Sequence, residues 1–181
     1  MATIVITGAN RGIGLELARQ YAQAGDTVIR AMRGVDKAES PFGTTMALDV
    51  TDADSVAKFA APLGDQSDDL LINNAGVSGP ERQSGVDMDF EGFGKVLDAN
   101  VLGPLRVTQA LLPNLRKAEG AKVAVISSRM GSITLAQGGS LAYRTSKAAV
   151  NMVFKLVAGE VAGDGIAVTM LHPGWVQTDM G

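Results

Sequence analysis

Short apolar runs rich in β-branched residues alternate with longer amphipathic stretches along the chain. The runs predict strands at Thr3–Thr7, Thr27–Met32, Thr45–Val50, Leu70–Asn73, Lys122–Ser127 and Ile166–Leu171. Each is almost continuously hydrophobic, as parallel strands covered on both faces must be. Between them the helical spacing of apolar positions predicts helices over Ile13–Ala24, Asp54–Ala61, Phe90–Lys117 and Ala142–Ala162. Gly25 suits the residue just past the first helix, and Thr51-Asp52 offers a cap for the second. Pro104 and Pro113 fall inside the long third segment, so a kink or break is expected there. Strands alternating with helices in this way predict an α/β fold with a doubly wound parallel sheet of about six strands. Such sheets bind ligands beyond the carboxyl ends of their strands, where strand order reverses.

Composition narrows the choices. The chain of 181 residues fits a single domain spanning 1–181, without repeats or an interdomain linker. Its net charge of -3 and the lack of a basic run argue against nucleic acid as a partner. No cysteine and one histidine, His172, exclude disulfides, thiolate chemistry and a His- or Cys-built metal site. The richest apolar stretch, Val150 to Val157, is interrupted by Lys155, so no membrane span is expected. The chain opens directly on an apolar strand, and the expectation is a cytoplasmic domain without a secretory signal.

Candidate chemistry begins right after the first strand, with Thr7-Gly8-Ala9-Asn10-Arg11-Gly12-Ile13-Gly14. Gly8 permits a tight turn, Gly12 lets the backbone approach a pyrophosphate, and Gly14 allows close helix–strand packing. Free N–H groups at the start of the following helix suit the same anion. Strand before and helix after make a dinucleotide the expected ligand. The second strand ends Arg30-Ala31-Met32-Arg33-Gly34, with no acid before Asp36. An acid there would select the ribose 2′-hydroxyl of NAD(H), whereas Arg33, with Arg11 nearby, suits the 2′-phosphate of NADP(H).

Further along, Tyr143-Arg144-Thr145-Ser146-Lys147 places a phenol and an ammonium four residues apart on one helical face. An adjacent cation lowers a phenol's pKa toward the range that acid–base catalysis needs. The strand Lys122–Ser127 runs into Ser127-Ser128 at the ligand-binding edge, where a hydroxyl can hold a carbonyl. Alone, a Tyr–Lys pair or a strand-end serine is ordinary surface or turn chemistry.

Taken in order, Thr7-Gly8-x-x-x-Gly12-x-Gly14, Asn73-Asn74-Ala75-Gly76, Asn100, Ser128, Tyr143-x-x-x-Lys147 and Pro173-Gly174 resemble the motifs of the short-chain dehydrogenases/reductases along the whole chain. The wording from Ile126 to Ser132 and from His172 to Met180 is most similar to the C-factor and sniffer-like carbonyl-reductase branch. The resemblance implies a Rossmann-type sheet with helices on both faces, hydride transfer between a nicotinamide and a carbonyl or alcohol, and a homo-oligomer, either dimer or tetramer. By the same resemblance Tyr143 is the proton donor and Lys147 depresses its pKa while binding the nicotinamide ribose. Ser128 orients the carbonyl, and Asn100 holds a water in a relay with Lys147. Asn73, Asn74, Ala75 and Gly76 would floor the cofactor site, and Asp49 and Val50 would contact adenine. Gly8, Asn10, Arg11, Gly12, Ile13, Gly14 and Arg33 would take the phosphates. Pro173, Gly174, Val176 and Thr178 would hold the nicotinamide end.

Members of that family usually continue past the position of Thr178 through a substrate-covering segment, a strand and a helix. This chain's last residue is Gly181, so that strand and helix are expected to be missing here. His172 reads as a turn residue and the scattered methionines as core filling. Two other readings stay open: a dinucleotide-binding signalling or regulatory protein with little catalysis, and a mononucleotide or flavin site. The turn lacks the Gly-Lys-Ser/Thr of a P-loop, which disfavours the last.

Overall fold

The computed structural model describes residues 1–35 and 42–177. Strands β1 (Thr3–Thr7), β2 (Thr27–Met32), β3 (Thr44–Ala47), β4 (Leu70–Asn73), β5 (Lys122–Ile126) and β6 (Ala167–Leu171) form one parallel sheet in the order β3-β2-β1-β4-β5-β6. The chain moves outward from β1 to β3, then returns to place β4 on the other side of β1. The carboxyl ends of β1 and β4 therefore flank the switch point where a ligand is expected.

Alternation along each strand divides the core. Val5, Ile29, Leu71, Val123 and Val125 face one layer, built by α2 (Ala53–Ala60), α4 (Gly103–Leu115) and α5 (Leu141–Val161). Ile4, Ile6, Val28 and Ile72 face the other, where Ala18 of α1 (Gly12–Gln23) packs. Helices thus lie on both faces, as the near-continuous apolar runs imply. Ala167, Thr169 and Leu171 of β6 are exposed.

The predicted elements are recovered with shifts at their ends. The third strand stops at Ala47 and not at Val50, because the Asp49 side chain turns the backbone. Its Oδ1 accepts from both Thr51 N and Thr51 Oγ1, at 3.0 and 2.7 Å. Asp52 caps α2 by accepting from Asp54 N at 3.0 Å, as expected. The helical segment predicted over Phe90–Lys117 is interrupted near Pro104, as expected, into α3 (Phe90–Leu97), a π-helical stretch at Asp98–Leu102, and α4. The interruption sits just ahead of Pro104, which has no N–H to continue the α ladder. Pro113 breaks nothing further, since α4 ends two residues later at Leu115.

One buried carboxyl ahead of β4 has a measurable consequence. Asp68 is fully buried; Gln66 Nε2 donates to its Oδ1 at 2.8 Å, while Oδ2 has no partner among the described residues. Burial raises its pKa above the ordinary carboxylate range, and the neighbouring charge of Asp69 adds to the rise against the Gln66 hydrogen bond. A raised folded pKa costs no stability below the unfolded value; the penalty grows as the pH climbs through the folded value and is complete above it. Asp68→Asn is therefore expected to raise the urea midpoint at about pH 7 and to leave it unchanged at about pH 3. Equal gains at both pH values would contradict this origin.

Candidate active site

Loops that follow the strands enclose a cleft of about 780 Å³. Its walls are supplied in turn by Gly8 to Ile13 after β1, Met32 and Arg33 at the end of β2, and Leu48 to Thr51 after β3. Asn74 to Ser78 follow β4, Ile126 to Met130 follow β5, and His172 to Val176 follow β6. Tyr143 and Lys147 reach in from α5. The sequence-predicted residues Gly8, Asn10, Arg11, Gly12, Ile13, Arg33, Asp49, Val50, Asn74, Ala75, Gly76, Ser128, Pro173, Gly174 and Val176 all meet on this one surface. Gly14 and Asn100 lie behind it, and Thr178 and Asp36 fall outside the described residues.

At one end the glycine turn is fastened to the loop after β4. Thr7 Oγ1 accepts from the backbone N–H groups of Asn74 and Ala75, each at 3.0 Å. The Asn74 amide donates back to the carbonyls of Thr7 and Gly8 at 3.0 and 3.1 Å. Gly8 is left-handed (φ +65°), and a Cβ there would stand 2.8 Å from Ala75 Cα. A Cβ on Gly14 would meet the Asn74 amide nitrogen at 2.5 Å. Gly14 thus makes room for the side chain that ties the turn down, a more particular role than helix–strand packing. Helix α1 starts without a side-chain cap and without an acid in its first turn. Its leading N–H groups carry no capping side chain, an arrangement that suits an anion such as a phosphate.

The other end gathers the reactive side chains. Ser128 opens a short 3₁₀ turn (Arg129–Gly131), its Oγ accepting from Met130 N at 3.1 Å. Lys147 Nζ lies 5.6 Å from the centre of the Tyr143 ring and donates to the Ile126 carbonyl at 2.7 Å. Burial holds the Lys147 ammonium down to about 8. Burial also raises the Tyr143 phenol above its ordinary range, and a hydrogen bond with Ser128 pulls it partway back. The expectation that Lys147 depresses the tyrosine is thus not met in the chain by itself. Desolvation dominates, and the lysine spends its ammonium on a strand carbonyl.

Asn100 explains its place inside a helix. It sits in the π-helical stretch, where Oδ1 accepts from Val77 N at 2.8 Å and Nδ2 donates to Val77 O and Ser146 Oγ, each at 2.9 Å. Its amide clamps the loop after β4 to α5, one residue before Lys147. Asn73 turns away from the cleft and donates to Thr108 Oγ1 of α4 at 3.0 Å, so the cofactor floor begins at Asn74. His172 lines the cleft as an exposed loop residue.

Three further contributors shape the site. Gln83 accepts from Tyr143 N at 3.2 Å, and its carbonyl accepts from Leu141 N, which orients the start of α5. It lies in an irregular loop without a motif. Ser140 holds a left-handed conformation (φ 51°) at the cleft wall. Gly131 lets the serine turn rest on α5. A Cβ there would stand 2.6 Å from the Lys147 carbonyl carbon and 2.8 Å from its oxygen. A glycine three residues after a strand-end serine was the one available signal.

A parallel α/β sheet with a glycine-rich turn at its switch point, and with Ser, Tyr and Lys converging on the same cleft, defines a nicotinamide-dependent oxidoreductase. The chain belongs to the short-chain dehydrogenases, whose family model matches residues 2–181. It is 49% identical to the C-signal protein of Myxococcus xanthus over 114 residues, covering 62% of this chain and 68% of that one. The NADPH-bound carbonyl reductase from chicken fatty liver superposes with a TM-score of 0.90 at 32% identity, covering 99% of this chain and 82% of that one. The carbonyl reductase Sniffer of D. melanogaster does so with a TM-score of 0.91 at 29% identity, covering 99% and 83%. These likenesses place the chain near the C-factor and sniffer-like branch. Among the described residues no helix is long and apolar enough to cross a membrane.

Gly131→Ala tests the contact between the serine turn and α5. Because the obstructing atoms are backbone, the substitution is expected to cost about 2 kcal/mol of stability. It should also lower turnover by displacing Ser128 from Tyr143. Thermal melting and an NADPH oxidation assay check both; a variant that matches the parent in each would contradict the geometry.

Proposed function

We propose that the chain is an NADP(H)-dependent carbonyl reductase that uses Tyr143 as its general acid. The observation that carries this reading is the layout of one cleft, with an anion-ready glycine turn at one end and Ser128, Tyr143 and Lys147 at the other. When bound, the nicotinamide supplies the hydride. Ser128 presents its hydroxyl to the substrate carbonyl oxygen, and the Tyr143 phenol delivers a proton to the same atom. Burial keeps that phenol protonated through the neutral range, which suits reduction. Lys147, freed from the Ile126 carbonyl, holds the ribose hydroxyls. With both protons of the Asn100 amide donated to Val77 and Ser146, its main-chain carbonyl is the group to hold a relay water.

Arg11 and Arg33 flank the adenine end of the cleft and favour a 2′-phosphate. Asp49 is held beside Arg33 by Thr51, whose hydrogen bonds are the main reason its carboxyl stays below the usual range. Asp49 and Val50 border the adenine, and Pro173, Gly174, Val176 and Thr178 hold the nicotinamide carboxamide side. Small aldehydes, ketones and quinones are the substrate class, and the site of action is the cytoplasm. Met152 and Leu156, exposed four residues apart on α5, support a helix-paired homodimer.

A second reading, a dinucleotide-binding signalling protein with little catalysis, is favoured by the 49% identity to C-signal. The assembled Ser–Tyr–Lys set opposes it, because binding alone does not require a proton donor.

Tyr143→Phe separates the two. Cofactor binding should persist while the turnover of aldehydes, ketones and quinones falls by about 10²- to 10⁴-fold. Parent turnover should stay flat below about pH 8 and fall above it, first as Lys147 loses its ammonium and then, further into alkali, as the phenol loses its proton. Undiminished turnover in the variant would exclude Tyr143 as the acid.

A further inference from the structure

Strand β2 carries a charge in its interior. Arg30 is 1% exposed and heads the fully buried side chains in volume. Its Nε and Nη2 donate to the Ala9 carbonyl at 3.2 and 3.0 Å, and Nη1 reaches Thr45 Oγ1 at 3.5 Å. Both acceptors are neutral. Arginines 19, 82, 106 and 116 each pair with a carboxylate at a partly or fully open surface, whereas no described carboxylate pairs with Arg30. A buried cation without a counter-ion is costly, and a well-packed apolar side chain would be cheaper.

The position of that charge suggests its use. Ala9 lies in the glycine turn, between Gly8, whose N–H donates to Ala31 O at 2.8 Å, and Asn10, which lines the cleft. A guanidinium that donates to the Ala9 carbonyl polarises the Ala9–Asn10 peptide, making the Asn10 N–H a stronger donor on its far side. Arg30 itself does not line the cleft, so it acts through this peptide and through its field.

We infer that Arg30 is a buried positioning residue for the pyrophosphate of the dinucleotide, with the bound phosphates supplying the counter-charge that the protein omits. The inference rests on the proposed reading of the cleft as a dinucleotide site. It assigns Arg30 a task separate from that of Arg11 and Arg33, which stand at the cleft wall where a 2′-phosphate would lie. Arg30 therefore contributes equally to NADPH and NADH binding.

Two substitutions test it, read by fluorescence titration with NADPH and NADH and by melting temperature with and without saturating NADPH. Arg30→Gln keeps a donor for the Ala9 carbonyl and removes the charge; Arg30→Lys keeps the charge and loses the fork. Arg30→Gln should melt no lower than the parent in buffer alone. It should bind both cofactors about tenfold more weakly, with a smaller NADPH-induced rise in melting temperature. Arg30→Lys should stay within about threefold of the parent. Parent-like affinity in Arg30→Gln overturns the inference, as does a loss confined to NADPH, which would move the effect to the 2′-phosphate. If Arg30→Gln does not fold, a tenfold loss in the charge-retaining Arg30→Lys overturns it. A parent chain that binds neither cofactor refutes the dinucleotide reading itself and this inference with it.

Discussion

The cleft depends on the fastening of two strand ends at the switch point. Four hydrogen bonds between Thr7-Gly8 at the end of β1 and Asn74-Ala75 just past β4 bind the glycine turn to the neighbouring loop. Without them the turn would be a mobile link between a strand and a helix. With them its N–H groups are held in a fixed array, and a fixed array binds an anion without a further ordering cost. Gly8 and Gly14 follow from the same constraint, because a side chain at either would strike the fastening. Arg30 extends it from below, pinning the Ala9 carbonyl from inside the sheet.

The reactive end is assembled by a parallel logic, with helices where the other end uses strands. The π-helical stretch that Pro104 imposes leaves Asn100 facing both the loop after β4 and α5. Gly131 lets the serine turn settle against Lys147, and Gln83 holds the backbone of Tyr143. The result is a half-buried phenol and a deeply buried amine, each pushed toward its neutral form by desolvation. A phenol kept protonated is a ready donor, so on the proposed function the same burial that opposes phenolate formation suits carbonyl reduction.

Much of this was legible in the residues. The six strands follow from near-continuous apolar runs, because burial on both faces leaves little room for polar residues. The cleft-lining residues follow from motifs placed directly after strands. Side-chain contacts remote in sequence were less legible. Asn100 stands 23 residues from Val77 and 46 from Ser146, and no local pattern announces either partner. The break at Pro104 was legible from the proline, but its π-helical form was not, because helical spacing of apolar residues survives such a stretch. Arg30 offered a signal, a guanidinium within a strand otherwise buried on both faces. Its partner, the Ala9 carbonyl, is a backbone group that sequence patterns cannot show.

The central claim is that the glycine turn, held by Thr7 and Asn74 and bordered by Arg11 and Arg33, binds a 2′-phosphorylated nicotinamide dinucleotide. Calorimetric titration of the 181-residue chain with NADPH and, separately, NADH tests it most directly. Saturable binding of both is expected, with NADPH at least about tenfold tighter because guanidinium–phosphate pairing is charge-assisted. Tighter binding of NADH would contradict the arginine assignment, and binding of neither would contradict the site itself.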